Sequence, residues 1–228
     1  MVLGIVMMAA MLPTMIGLNE ATQGSREQEE ARRNESRKQR GHLVATVALT
    51  QGTPKMRQQV DNAQVHVGLD GRLYITKHPS ASMVPFNGSY FTHPDFPPNN
   101  TSGLVTVSGE KTPTLRWVFR DDKTHEMRWG GRPDSEGHVC GPFDWTKDEQ
   151  FLTMEGWEGW LAVRLPKDEA QIFVNGASAN GASANGASAN INDRETWRLY
   201  FDGRDDGAGL PQGSKGLEIR LKRTTATS

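Results

Sequence analysis

Between Leu43 and Arg223 the chain repeats short runs in which apolar and polar side chains alternate, and Gly, Asp and Pro separate these runs. Alternation over about four to eight residues is the pattern of a β-strand with one buried face. The clearest runs are TLRWVFR, EMRWG, GWLAVRL and TWRLYF. The pattern therefore predicts an all-β protein, an antiparallel β barrel or sandwich of about nine to ten strands with an N-terminal helical extension.

Outside this region the pattern changes. Residues 1–18 are apolar apart from Thr14, whereas residues 19–42 are mostly charged or polar and contain no apolar stripe. The charged segment therefore predicts a solvated helix or a linker. We expect a single β domain over residues 43–223, followed by a short tail at 224–228.

Residues 175–190 form a low-complexity insert, NGASANGASANGASAN, in which GASAN recurs without substitution. Gly, Ala, Ser and Asn offer almost no apolar area to offset the entropy lost on ordering. The insert is therefore predicted to be a disordered loop within the β domain.

The apolar segment at residues 1–18 has three interpretations: a secretory signal, a membrane anchor, or a Met-rich helix packed on the domain or on a partner. As a helix it would reach about 27 Å, the lower limit of a membrane span. No Lys or Arg precedes it, as one normally would in a signal peptide. We expect an intracellular protein that can associate with a membrane through residues 1–18, with secretion as the alternative.

Charge and cysteine content narrow the classes of partner. The formal net charge is −1, with 26 basic and 27 acidic residues, so no basic field is available to bind a nucleic-acid backbone. Cys140 is the single cysteine, which excludes an internal disulfide and favours a reducing compartment. The histidines lack zinc-ligand spacing, so we expect no metal and no other cofactor.

The run HVGLDGRLYI predicts a β-hairpin. A three-residue turn with Gly71 in the left-handed conformation pairs Val67 with Leu73 and Val65 with Ile75, which gathers the apolar side chains on one face.

A second hairpin is predicted in TLRWVFRDDKTHEMRWGG. A five-residue loop over 121–125 would align Phe119 with Met127 and Trp117 with Trp129 on the core face. The charged residues of both strands would then point away from the core: Arg116, Arg120, Glu126 and Arg128.

A third hairpin is predicted in FLTMEGWEGWLAVRL. A two-residue turn at 158–159 pairs Met154 with Val163 on the buried face and leaves Trp157 and Trp160 opposite each other on the outer face. Exposed paired indoles suit stacking on a sugar ring or on a partner side chain. The alternative is that a neighbouring segment covers the pair.

A second candidate surface lies in the segment from His78 to Gly103, which is long for a connection between strands, too rich in Pro for a strand, and predicts a compact loop. The binding hypothesis uses its aromatic-rich part, MVPFNGSYFTHPDFPP at residues 83–98. Such loops often carry binding function, and the alternative is a lid over a barrel end or sheet edge. Its candidate binding residues are Phe86, Tyr90, Phe91 and Phe96.

Catalytic signals are weaker than these surfaces. A hydrolase-type enzyme would use Asp144, Glu155 or His138 in the mouth of a barrel. His138 and Cys140 would lie about 6–7 Å apart on a strand, too far for direct proton transfer, so Cys140 is interpreted as structural. We expect a non-enzymatic binding or scaffolding module for a protein or carbohydrate, with the hydrolase as the alternative.

Three blocks of the chain resemble a protein family of filamentous fungi, some of whose members are labelled ricin-B-type lectins. They are EEARRNESRKQR at 29–40, MVPFNGSYFTHPDFPP at 83–98 and RWGGRPDSEGHVCGPFDWTKDE at 128–149. The resemblance covers nearly the whole chain apart from the GASAN insert. It implies no particular activity and no particular site residues.

Overall fold

The structure is a computed structural model that describes residues 24–94, 102–107, 114–166 and 195–225. The predictions made for residues 1–18, for the 175–190 insert and for Phe96 lie outside the described residues.

Residues 24–38 form a helix, α1, within a unit that spans Met1–Gln39. Three of its four acidic residues, Glu27, Glu29 and Glu30, lie in the first half, and four of its five basic residues lie in the second half. This order suits the helix dipole, which favours negative charge near the N-terminus and positive charge near the C-terminus. Within the described residues, no helix has the length and apolar character that a membrane crossing requires.

The second unit, Arg40–Ser228, contains all the described strands. The thirteen strands are β1 (Gly41–Val47), β2 (Gln64–Gly68), β3 (Leu73–Thr76), β4 (Met83–Pro85), β5 (Gly88–Phe91), β6 (Gly103–Val107), β7 (Leu115–Arg120), β8 (Met127–Gly130), β9 (Phe143–Trp145), β10 (Leu152–Met154), β11 (Trp160–Arg164), β12 (Trp197–Phe201) and β13 (Lys215–Thr225). Two short helices accompany them, α2 (Pro54–Val60) and α3 (Arg132–Ser135). The predicted all-β class is confirmed, with more strands than the nine to ten expected.

Six strands close into an antiparallel barrel in the order β1, β2, β3, β12, β11, β13, with β13 pairing back to β1. The longest pairing joins β1 to β13, from Gly41 opposite Thr225 to Val47 opposite Ile219. The ring closes where Val44 of β1 pairs with β2. Closure matters because it removes the unpaired edges that an open sheet would present.

The remaining strands extend from this barrel. A four-stranded arm, β5 to β8 in chain order, joins the barrel where β5 meets β1. Strand β4 pairs with β2, and β9 and β10 form a separate two-stranded sheet. This small sheet carries the candidate site described below.

The barrel strand β11 is buried on both of its faces. Trp160 and Ala162 lie in the main core, whereas the intervening Leu161 and Val163 lie in a second apolar cluster with Ala208. A strand buried on both faces reads as a nearly continuous apolar run rather than as an alternating one.

The first predicted hairpin is confirmed in its register. Val67 lies opposite Leu73, Val65 lies opposite Ile75, and Gly71 is left-handed with φ of +77°.

The predicted register of the second hairpin is wrong by one residue, since Phe119 lies opposite Arg128 and not opposite Met127. Arg120 lies opposite Met127, so the connection spans 121–126 instead of 121–125, and the Asp121 N–H donates to the carbonyl of Glu126 at 2.9 Å across it. Strand β7 also buries both faces: Val118 is in the core, and Phe119 stacks on a histidine ring. Glu126, expected on the solvent face, is only 5% exposed.

The 83–98 segment is not one compact loop, because its described part contains β4 and β5. Pro85 is accommodated at the end of β4, an edge strand, where a missing N–H costs no interior hydrogen bond. The proline content of this segment therefore does not exclude strands.

Candidate functional site

The two-stranded sheet β9–β10 has a polar face, on which Thr153 is only 7% exposed. Asp144 lies directly opposite Thr153, and the alternate positions bury Phe143 and Met154, which are in the core. Because side chains alternate along a strand, burial of these apolar residues directs Asp144 and Thr153 to the other face. Asp144 is half-buried and its Oδ1 accepts a hydrogen bond of 2.6 Å from the backbone N–H of Trp145.

The loop between β9 and β10 is held by Thr146. Its backbone N–H donates to the carbonyl of Phe151 at 2.9 Å, and its Oγ1 accepts from the N–H of Phe151 at 3.1 Å. The same hydroxyl donates to the Asp148 carboxylate, and this hydrogen bond lowers the pKa of Asp148. The ordered loop carries the exposed Lys147 at the end of β9.

A tight turn follows β10 and places Trp157. Glu155 and Gly156 both have positive φ, +54° and +89°, and Met154 and Trp157 exchange backbone hydrogen bonds of 3.0 and 3.2 Å across them. Two left-handed central residues define the hairpin turn that Gly favours. The indole of Trp157 is 39% exposed at the end of this turn.

The predicted pair of exposed indoles is therefore wrong. The chain contains Glu-Gly at 155–156 and again at 158–159, and the turn forms at the first and not at the second. The residue after the second dipeptide, Trp160, is 1% exposed and begins a barrel strand that pairs with β12 and β13. Its Nε1–H donates to the carbonyl of Leu152 at 2.6 Å. Trp157 alone of the two is accessible.

These elements enclose an open groove of about 500 Å³. The exposed Trp157 forms one part of its wall, and the remainder includes charged and hydroxyl side chains together with Trp145 and Gly156. The residues that line the groove are Asp144, Trp145, Thr146, Lys147, Thr153, Gly156, Trp157 and Glu158. An aromatic face beside a few polar groups is the usual composition of a small-molecule site.

The carboxylate of Glu158 is held by an arginine on β13. Arg220, on β13, donates to Glu158 through Nε at 2.7 Å and through Nη2 at 2.8 Å. Its guanidinium lies 3.5 Å from the centre of the Phe151 ring. The forked contact fixes both oxygens of Glu158, as is typical of bidentate Arg–carboxylate pairs.

The described aromatic residues of the 83–98 segment do not line this groove. Phe86 and Tyr90 are each 2% exposed, so their candidacy as surface binding residues is contradicted by burial. Tyr90 packs edge-on against Trp145 at 5.3 Å and so supports β9 from the core side. Phe91 is 51% exposed, packs edge-on against Trp117 and does not line the groove.

The three candidate catalytic side chains do not meet in one cavity of the described residues. Asp144 lines the groove, but Glu155 pairs with Arg120 at 3.2 Å and His138 stacks on Phe119 at 5.1 Å. Cys140 is buried. Within the described ranges, no cluster of three or more His, Cys, Asp or Glu side chains is arranged to hold a metal ion.

Sequence reasoning missed the groove as a unit. It named Asp144 only as a possible acid and did not single out Lys147 or Thr153 as binding residues. The available signal was the alternation FDW and LTM, which places Asp144 and Thr153 between buried neighbours, together with the first Glu-Gly turn signal.

Among family models, the one described as a fungal beta-trefoil domain matches residues 17–227. The match confirms the resemblance to a fungal, ricin-B-like family that the three sequence blocks indicate. No curated protein and no solved structure matches the chain significantly.

Proposed function

The chain belongs to the fungal β-trefoil domain family, whose fold is commonly a carbohydrate-binding module, and we propose that it binds carbohydrate in the groove over β9–β10. The observation that carries the proposal is the exposed Trp157 indole in the same groove as Asp144, Lys147 and Thr153.

The indole supplies the apolar part of such a site. The face of a sugar ring that carries C–H groups packs against an aromatic plane, and a Trp presents more rigid area for this contact than any other side chain. Trp157 is held at a two-residue turn, so its position is set before a ligand arrives. A preformed aromatic surface reduces the entropy lost on binding.

The polar side chains of the groove supply hydrogen-bond partners for the hydroxyl groups of a sugar. The carboxylates of Asp144 and Glu158 accept hydrogen bonds from sugar hydroxyls, Lys147 donates, and the hydroxyl of Thr153 does either. Mixed donors and acceptors beside one aromatic face suit a ring that carries several hydroxyls. Arg220 donates to both oxygens of Glu158, which holds this carboxylate in place as a hydrogen-bond acceptor.

The test is a glycan array probed with the wild-type protein and with Trp157→Ala. Since a buried aromatic contact is commonly worth about 2 kcal/mol at a binding hot spot, we expect about a 30-fold loss of affinity for the glycans that the wild type binds. Leu49→Ala is the matched control, because Leu49 is 87% exposed and does not line the groove. It should bind as the wild type does.

Phe91→Ala separates this proposal from the second candidate surface. If affinity depended on Phe91 and not on Trp157, the ligand would lie on the β5–β8 arm and the groove assignment would be wrong. An array with no bound glycan would remove the carbohydrate proposal altogether.

A further inference from the structure

The ion pair between Glu158 and Arg220 connects the groove to the barrel. Glu158 lines the groove, whereas Arg220 does not and approaches it from β13. Both oxygens of the carboxylate are engaged, at 2.7 and 2.8 Å, and the guanidinium is itself held against the Phe151 ring. The side chain of Glu158 is 25% exposed and that of Arg220 is 51% exposed.

This arrangement determines the net charge that a ligand meets. The charged residues that line the groove are Asp144, Lys147 and Glu158. By formal charge, Lys147 and Arg220 balance these two carboxylates, and Arg220 does so in direct contact with Glu158. The groove therefore offers hydrogen-bonding groups without an excess of either charge. The planar guanidinium of Arg220 donates to both oxygens of the carboxylate and so fixes its orientation, which the single ammonium group of a Lys would not do.

We propose that Arg220 is a positioning residue that makes the groove select uncharged sugars, because it compensates Glu158 and orients its carboxylate as an acceptor for ring hydroxyls. The proposal rests on the proposed function and extends it to the charge class of the ligand. Without Arg220, Glu158 is an uncompensated carboxylate on the groove wall and attracts a protonated amine.

The test compares each neutral hexose with its 2-amino-2-deoxy counterpart. The gluco, galacto and manno pairs are immobilised, and binding is measured at about pH 6, below the usual pKa of an aliphatic amine. The wild type should prefer the neutral member of the pair it binds. In Arg220→Gln the ratio of affinities should shift toward the amino sugar by about two- to fivefold, the range of a partly exposed ion pair.

Two controls separate positioning from a structural role. Lys222→Gln removes one positive charge from the same strand without touching Glu158, and should leave the ratio unchanged. The double variant Arg220→Gln with Glu158→Gln should return the ratio to the wild-type value, because the carboxylate that Arg220 compensates is gone. Glu158→Gln alone leaves Arg220 uncompensated and should disfavour the amino sugar.

Each outcome bears on a different proposal. This inference is overturned if the ratio of affinities is unchanged in Arg220→Gln. It is also overturned if Arg220→Gln loses affinity equally for both sugars and the added Glu158→Gln does not reverse that loss. Both results leave carbohydrate binding in place. If Arg220→Gln does not fold, an unchanged ratio in Glu158→Gln overturns it instead. A wild type that binds neither member of any pair and no glycan on the array overturns both proposals.

Discussion

The indole of Trp157 lies against the backbone of Gly159. A Cβ built on Gly159 would lie 2.6 Å from Cζ2 of that indole and would overlap the carbonyl oxygen of Asp202. Gly159 and Asp202 are also joined through their backbones, since the Asp202 N–H donates to the Gly159 carbonyl at 2.7 Å. The missing side chain at 159 thus leaves the space in which Trp157 is seated.

Replacement of Gly159 by Ala should therefore displace Trp157 and weaken the site. The added methyl group meets backbone on one side and the indole on the other, so we expect the free energy of unfolding to fall by about 1–3 kcal/mol. Urea unfolding measures this loss, and tryptophan fluorescence reports the movement of the indole.

Gly216→Ala is the matched control for this substitution. Its added Cβ would meet Leu210 at 3.5 Å, an ordinary contact, and its φ is not in the left-handed region. The variant should unfold like the wild type. Equal stability of the 159 and 216 variants would show that Trp157 does not depend on the space at Gly159.

A buried carboxylate just before β8 joins the residue that precedes β3 to strand β12. Glu126 accepts from Arg72 Nε at 3.2 Å and from Arg198 Nη1 at 3.3 Å, and its side chain is 7% exposed. Glu126→Gln removes the charge that both guanidinium groups share. We expect a loss of about 3 kcal/mol in the free energy of unfolding, since breaking a buried pair leaves uncompensated charge.

An exposed pair provides the comparison for Glu126. His78 and Glu195 are 3.4 Å apart with side chains 63% and 47% exposed. Glu195→Gln should change the free energy of unfolding by less than about 1 kcal/mol, because solvent screens exposed pairs. Similar losses in the two variants would mean that burial does not strengthen the Glu126 contacts.

The sequence predicts the β class and the tightest hairpin because those features depend on local information. Gly71 can adopt a left-handed conformation at little cost, and the apolar set of Val65 and Ile75 permits one register. The fungal family is likewise recognisable from short blocks of sequence, and the family match confirms it.

The errors arise where the deciding interaction is distant in sequence. Trp157 and Trp160 look equivalent in the chain, but Trp160 is buried because β11 pairs with β12 and β13, more than thirty residues away. The strand pattern of β7 is misread for a related reason, since a strand covered on both faces loses its alternation. Predicting the groove would require both the local turns and the long-range strand pairing that closes the barrel.

The loop after β12 should make stability depend on pH through Asp202. Burial alone would raise the pKa of this carboxyl, but hydrogen bonds from the backbone N–H groups of Gly207, Arg204, Asp206 and Ala208 outweigh burial and lower the pKa. The contacts from Gly207 and Arg204 are 2.6 and 3.2 Å long.

A carboxyl whose pKa is lower in the folded state stabilises the fold above its unfolded pKa of about 3.9, and this contribution is lost as pH falls through the folded value. Asp202→Asn should cost about 2 kcal/mol at pH 7, the range of hydrogen bonds to a charged group. The difference from the wild type should shrink as the pH falls below about 4. Urea unfolding at a series of pH values measures this difference in the free energy of unfolding, and the substitution of the exposed Asp205 by Asn is the control. A difference that stays constant down to the lowest pH would show that Asp202 does not act through its charge.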